Sequence, residues 1–176
     1  MKRKRNSKAQ VWIETVLYTL IGLGLIAVLL AVAKPRIDSY RDRIVVEQTI
    51  QSMTLIDEKI NDVLIAPGNK RIVSLKISNG KMSINTSAET INWVLDSKNE
   101  YSEPKKEVRM GNIKILTLGG GPWKVYLTMN YSGKINLNSS EEVKEIQASA
   151  TAYSLAIENN GLDSDNKPVV KILDIK

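Results

Sequence analysis

The sequence predicts an α+β fold: a long N-terminal helix, membrane-spanning and then amphipathic, bent near Pro35 and packed on a C-terminal antiparallel β-sheet or small sandwich. Three observations carry this. Val11 to Ala33 is an apolar run with a single charge, Glu14. From Ile37 to Leu64, apolar residues recur mostly at three- and four-residue steps. Beyond Asn69 the period falls to two, and Gly, Asn, Ser and Pro separate the runs.

The apolar run comes first. As a helix rising about 1.5 Å per residue it covers about 35 Å, enough for a bilayer core of about 30 Å. A helix buried inside a soluble protein would need a larger core around it than 176 residues can build. A cleaved secretory signal has an apolar region of about 7–15 residues with small residues behind it. This run is longer, and Lys34 and Arg36 follow it. Ahead of it lie Lys2, Arg3, Lys4, Arg5 and Lys8. Basic flanks stay in the cytoplasm, so residues 1–9 read as a cytoplasmic basic leader and residues 10–33 as a single membrane span. Everything beyond is then outside.

That leader accounts for most of the charge. The chain has 25 Lys+Arg, 19 Asp+Glu and a net charge of +6. Without the leader cations the remainder is nearly neutral, which excludes a basic groove for nucleic acid. There is no Cys and no His. Thiol nucleophiles, imidazole bases, disulfides and the usual zinc ligands are therefore excluded.

Residues 34–68 read as an amphipathic helical stalk. Ile37, Tyr40, Ile44, Val46, Ile50, Met53, Ile56, Ile60, Val63 and Leu64 form one stripe, with Asp42, Glu47, Asp57 and Glu58 on the other side. The stripe is expected to lie on the β domain. "APGN" at 66–69 stops the helix. Pro35 removes one helix hydrogen bond and predicts a bend or short break.

Residues 69–176 read as a β-rich head of six to eight strands. Asn79-Gly80 predicts a hairpin, because both central positions of that turn favour positive φ. Further strand-like runs are 90–96, 108–118, 123–131, 134–137, 145–159 and 169–175. "GGGPWK" at 119–124 lacks the Gly-Lys-Ser/Thr ending of a phosphate loop and reads as a hairpin loop. "DSDN" at 163–166 lacks the Gly and late Glu of a calcium loop and reads as a turn. Trp93 and Trp123 read as packing residues. No catalytic constellation is present, so neither an enzyme nor a bound cofactor or metal is expected. Asn85, Asn130 and Asn138 each begin an acceptor pattern for N-glycosylation, and Asn138 is expected in a turn.

The order of a basic leader, a small residue, Gln, an apolar helix with one early Glu, an amphipathic helix and a β head resembles the type IV pilin-like proteins of archaea. In that family a prepilin peptidase cuts between the leader and the apolar helix. The motif is matched here by Lys8, Ala9, Gln10 and Glu14. The resemblance implies a cut between Ala9 and Gln10, with Gln10 and Glu14 acting in assembly. It implies as partners further copies of the chain, the peptidase, a pilus assembly platform and membrane lipid. It is specific over Lys8–Ala33 and architectural beyond. Ala9 stands where Gly is common in the family. The expected product is a subunit of an extracellular pilus-like filament, whether a major pilin, a minor pilin or an archaellin-like subunit. Adhesion, motility and DNA uptake all remain open as uses. The alternative is an uncleaved, single-span surface protein whose β head binds a ligand or partner.

Overall fold

The computed structural model describes residues 7–175, with side chains described from 11 to 175. Met1–Asn6, most of the basic leader, lie outside the described residues. One helix, α1 (Ser7–Val63), is followed by ten strands. These are β1 (Lys70–Leu75), β2 (Lys81–Asn85), β3 (Thr90–Ser97), β4 (Glu107–Met110), β5 (Ile113–Gly119), β6 (Trp123–Asn130), β7 (Asn136–Ser139), β8 (Val143–Gln147), β9 (Tyr153–Leu162) and β10 (Pro168–Ile175). The fold is α+β, with the long helix packed on antiparallel and mixed sheets.

The chain divides into two compact units, residues 1–40 and 41–176. The described residues of the first are helix alone. Pro35 sits inside α1, which continues past it. The Ser39 hydroxyl donates to the Pro35 carbonyl at 3.1 Å.

The second unit joins the remainder of α1 to two sheets. One has the order β1-β9-β10-β7 and the other β4-β5-β6-β3-β2-β8. Val46, Ile50, Met53, Ile56, Ile60 and Val63 of α1 enter one core with Val73, Leu155 and Ile172 of the first sheet and Ile84, Trp93 and Leu127 of the second. Burial of the stripe starts at Val46. Ile37, Tyr40 and Ile44 are 50%, 69% and 49% exposed, contrary to the expectation that the whole stripe is covered. A periodicity marks the apolar face of a helix but not how far a partner runs along it.

Three strand readings are corrected. Asn79-Gly80 does not close a hairpin, since β1 pairs with β9 whereas β2 pairs with β3 and β8. Residues 76–80 instead carry the chain from one sheet to the other. Gly80 has φ of +72°, and a Cβ there would lie 1.9 Å from the Val94 carbonyl oxygen, so both conformation and space require glycine. Asn79 is held as well. Its Nδ2 donates to the Asp96 carbonyl at 2.9 Å, and its carbonyl accepts from Trp93 Nε1 at 3.2 Å. The run 145–159 breaks into β8 and β9, again in different sheets, and the Ser149 amide donates to the Ile77 carbonyl at 3.0 Å, tying the two crossings together. The run 108–118 folds into the β4–β5 hairpin about Gly111-Asn112. The sheets are also not wholly antiparallel, because β7 runs parallel to β10.

Other expectations hold. "GGGPWK" is the β5–β6 hairpin loop, where Gly119 pairs with Trp123 at φ of +117°. "DSDN" is a turn, in which Asp163 Oδ1 accepts the amides of Asp165 and Lys167 at 2.9 and 2.8 Å. These bonds, the Lys167 amide foremost, hold the Asp163 carboxyl below the usual carboxylate range. Trp93 is buried.

Candidate functional site

The first candidate is the N-terminal half of α1. Every described side chain from Val11 to Ala33 is exposed or half-exposed, including Trp12, Tyr18 and Leu29. Its two threonine hydroxyls are satisfied within the helix: Thr15 Oγ1 donates to the Val11 carbonyl at 2.9 Å and Thr19 Oγ1 to the Thr15 carbonyl at 2.8 Å. A helix that satisfies its own backbone and its threonine hydroxyls is suited to hydrocarbon, where no water can do so. Trp12 and Tyr18 lie in its first turns, the amphipathic aromatics typical of a membrane interface. α1 is long and apolar enough to cross a bilayer, consistent with a membrane anchor.

Of the residues singled out in the sequence, Ala9 and Gln10 fall within the helical backbone, but their side chains lie outside the described residues. Glu14 is exposed on the same helix, one turn beyond Gln10. The three acceptor asparagines are dispersed. Asn85 ends β2, half-buried, and its Oδ1 accepts the Ala88 amide at 2.8 Å. Asn130 ends β6 exposed, with Oδ1 accepting the Ser132 amide at 2.8 Å. Asn138 is exposed, but it lies in strand β7 rather than in a turn. The parallel pairing of β7 with β10, which places it, has no local sequence signal.

The head holds polar fasteners that sequence reasoning missed. Asp57, on α1, accepts the Tyr131 hydroxyl at 2.7 Å and Asn112 Nδ2 at 3.0 Å, both through Oδ1. Burial, reinforced by Asp57, pushes the Tyr131 phenol above its usual range. A cleft of about 340 Å³ opens over this group, lined by Asn61, Gly111, Lys134 and their neighbours. Asp42 Oδ2 accepts the Lys98 amide at 2.7 Å and thereby fixes the segment after β3 to the helix. Asn159 is buried, and its Nδ2 donates to the Val63 carbonyl at 3.0 Å, one of the last carbonyls of α1, which have no partner within the helix. Each partner is remote in sequence, so an acid on the polar side of a helical stripe is the only signal that could have pointed to Asp42 and Asp57.

Among the described residues no group of three or more His, Cys, Asp or Glu is arranged to hold a metal ion. Asp57, Asn112 and Tyr131 fasten three elements together beside the cleft they line. Comparison of the chain with family models, with curated proteins and with solved structures finds no match.

Proposed function

We propose that the chain is a structural subunit of an extracellular type IV pilus-like filament, held in the membrane by its apolar helix before assembly. The observation that carries this reading is the Lys8-Ala9-Gln10 motif with Glu14 four residues on, at the head of a helix whose apolar surface its own chain leaves uncovered. Cleavage by a prepilin peptidase between Ala9 and Gln10 removes the basic leader that fixes the helix across the bilayer. The remaining apolar rod needs burial in lipid or against copies of itself. Gly22 and Gly24 support the second arrangement. Apart from the adjoining helix backbone, no atom lies within 4 Å of a Cβ built at either, so their smallness is not required by the chain's own packing. Small residues let helices approach closely.

Cleavage also creates a charge. The new α-amine of Gln10 has a pKa near 8 and is positive at neutral pH. Glu14, one turn along, is positioned to pair with that amine in its own chain or a neighbour's. Inside a helix bundle the pair is desolvated, and loss of one partner of a buried pair costs about 3–5 kcal/mol. Glu14→Gln should therefore be cleaved and inserted normally but assemble poorly. The measurement is filament yield against mature subunit left in the membrane. Wild-type yield from Glu14→Gln would remove the assembly role of the acid.

A further inference from the structure

We propose that the heads of neighbouring copies join edge to edge, β4 of one against β8 of the next, continuing the six-stranded sheet from copy to copy. The inference rests on the filament reading, which supplies the neighbouring copy, and adds which surfaces meet.

Four observations support it. First, β4 and β8 are the two edges of that sheet, so each leaves one side of its backbone unpaired by strands among the described residues. Such an edge is a template for another strand. Secondly, all five pairings in the sheet are antiparallel. With six alternating strands the two edges run in opposite directions. A copy set alongside in the same orientation therefore presents β8 antiparallel to β4.

Thirdly, the faces match. One continuous cross-strand row runs Arg109, Lys114, Thr128, Asn92, Ser83, Glu145. It begins with a cation at one edge and ends with a carboxylate at the other, on the same face of the sheet. Extending the row into the next copy sets Arg109 opposite Glu145. That register also sets Val108 opposite Ile146, Glu107 opposite Gln147 and Met110 opposite Lys144. Opposite charges and apolar residues facing across strands are the favourable cross-strand pairs. At present Arg109 stands opposite Lys114, two like charges relieved by Glu107.

Fourthly, β4 is incompletely covered. Val108 and Met110 point to the same side as the buried Ile113 and Ile115, yet remain 39% and 49% exposed. A strand laid beside β4 covers them. Lys144 faces the same side as the buried Ile84 and Ile146 at the other edge. Its methylene stem can lie along Met110 while its ammonium reaches water. An inward-facing lysine and short edges also discourage indiscriminate pairing.

Four residue pairs bury far less than the roughly 1,200–2,000 Å² of a stable interface. The contact therefore forms where the helices already hold copies together, at high effective concentration. Because two different edges meet head to tail, each copy keeps one edge for the next, and the contact passes from copy to copy along the filament.

The chain has no cysteine, so introduced thiols report without background. Directly opposed residues have Cα atoms about 4.5–5.5 Å apart, within disulfide range. The test is the full chain carrying Glu107→Cys and Gln147→Cys, oxidised mildly in its filaments. It should give a reducible ladder of dimers, trimers and longer species. Glu107→Cys with Val143→Cys, four residues out of register, should give none. Arg109→Glu should weaken the ladder, and adding Glu145→Arg should restore it. Filaments without a ladder, equal ladders from both pairs, or cross-links to a different protein overturn edge pairing and leave the filament reading standing. Absence of both filaments and ladder overturns the two together.

Discussion

The Tyr131 hydroxyl donates to Asp57 Oδ1 at 2.7 Å, joining α1 to the segment after β6, 74 positions along the chain. Asn112 shares the same oxygen at 3.0 Å, so one carboxylate oxygen gathers the helix, the β4–β5 turn and the end of β6. Asp57 thus ties the helix to two separate parts of the six-stranded sheet, as Asp42 ties it to the end of β3 through Ser97, Lys98 and Asn99.

Tyr131→Phe should lower the stability of the full chain in detergent by about 1–3 kcal/mol at neutral pH, the worth of a hydrogen bond to a charged acceptor. It should also change the alkaline behaviour. Burial, then Asp57, raises the folded pKa of Tyr131 above the value of about 10 for an exposed tyrosine. The unfolded chain loses this proton first as pH rises. The contribution is therefore complete below about pH 10 and is lost as pH climbs towards the folded value. Tyr101, whose pKa burial also raises, adds to the same slope. Thermal unfolding followed from neutral pH upward should give a shallower alkaline decline for Tyr131→Phe than for the wild type. Parallel curves would mean that Tyr131 does not titrate differently in the two states.

Met53 is fully buried, whereas Tyr40, on the same predicted stripe, is 69% exposed. Met53→Ala should cost about 2–5 kcal/mol, the usual range for emptying a core site. Tyr40→Ala should stay within about 0.5 kcal/mol, as surface substitutions do. Comparable losses in denaturant melts of the full chain would mean that the stripe is covered along its whole length.

Asn159 closes the far end of the helix. Its Nδ2 donates to Val63, its Oδ1 accepts the Gly161 amide at 2.9 Å, and its backbone pairs with Gly68 and Asn69. Asn159→Ala leaves a buried carbonyl and an amide without partners, at about 1–3 kcal/mol. Asn159→Asp keeps the Gly161 contact but sets a carboxylate oxygen against the Val63 carbonyl, so it should destabilise more. Ranking the two variants by melting temperature checks this, and a smaller loss for Asn159→Asp than for Asn159→Ala would assign the effect to the Gly161 contact rather than to Val63.

Much of the head was legible in the sequence because alternation reports which residues face a core. β3, β6 and β10 lie close to where their apolar residues place them. Alternation does not report the partner strand. The runs on either side of Asn79-Gly80 satisfy a hairpin locally, yet Ile77, Met82 and Ile84 are fully buried in a fold that sends the two strands to different sheets. Tertiary burial outweighed the local turn preference. The same limit hid the parallel β7–β10 pair and the grouping of Asp57, Asn112 and Tyr131. The candidate membrane anchor was legible because a span is encoded by contiguous residues. The complementarity of β4 and β8 depends on strand order and only emerges with the topology.

The filament reading is tested most directly by the intact mass of the protein recovered from sheared extracellular material of the cells that make it. The predicted result is an unbranched filament whose subunit begins at Gln10, with Met1–Ala9 absent and Glu14 at its fifth position. Recovery of the protein solely from membranes, as a chain that keeps Met1–Ala9, would contradict it and favour a single-span surface anchor.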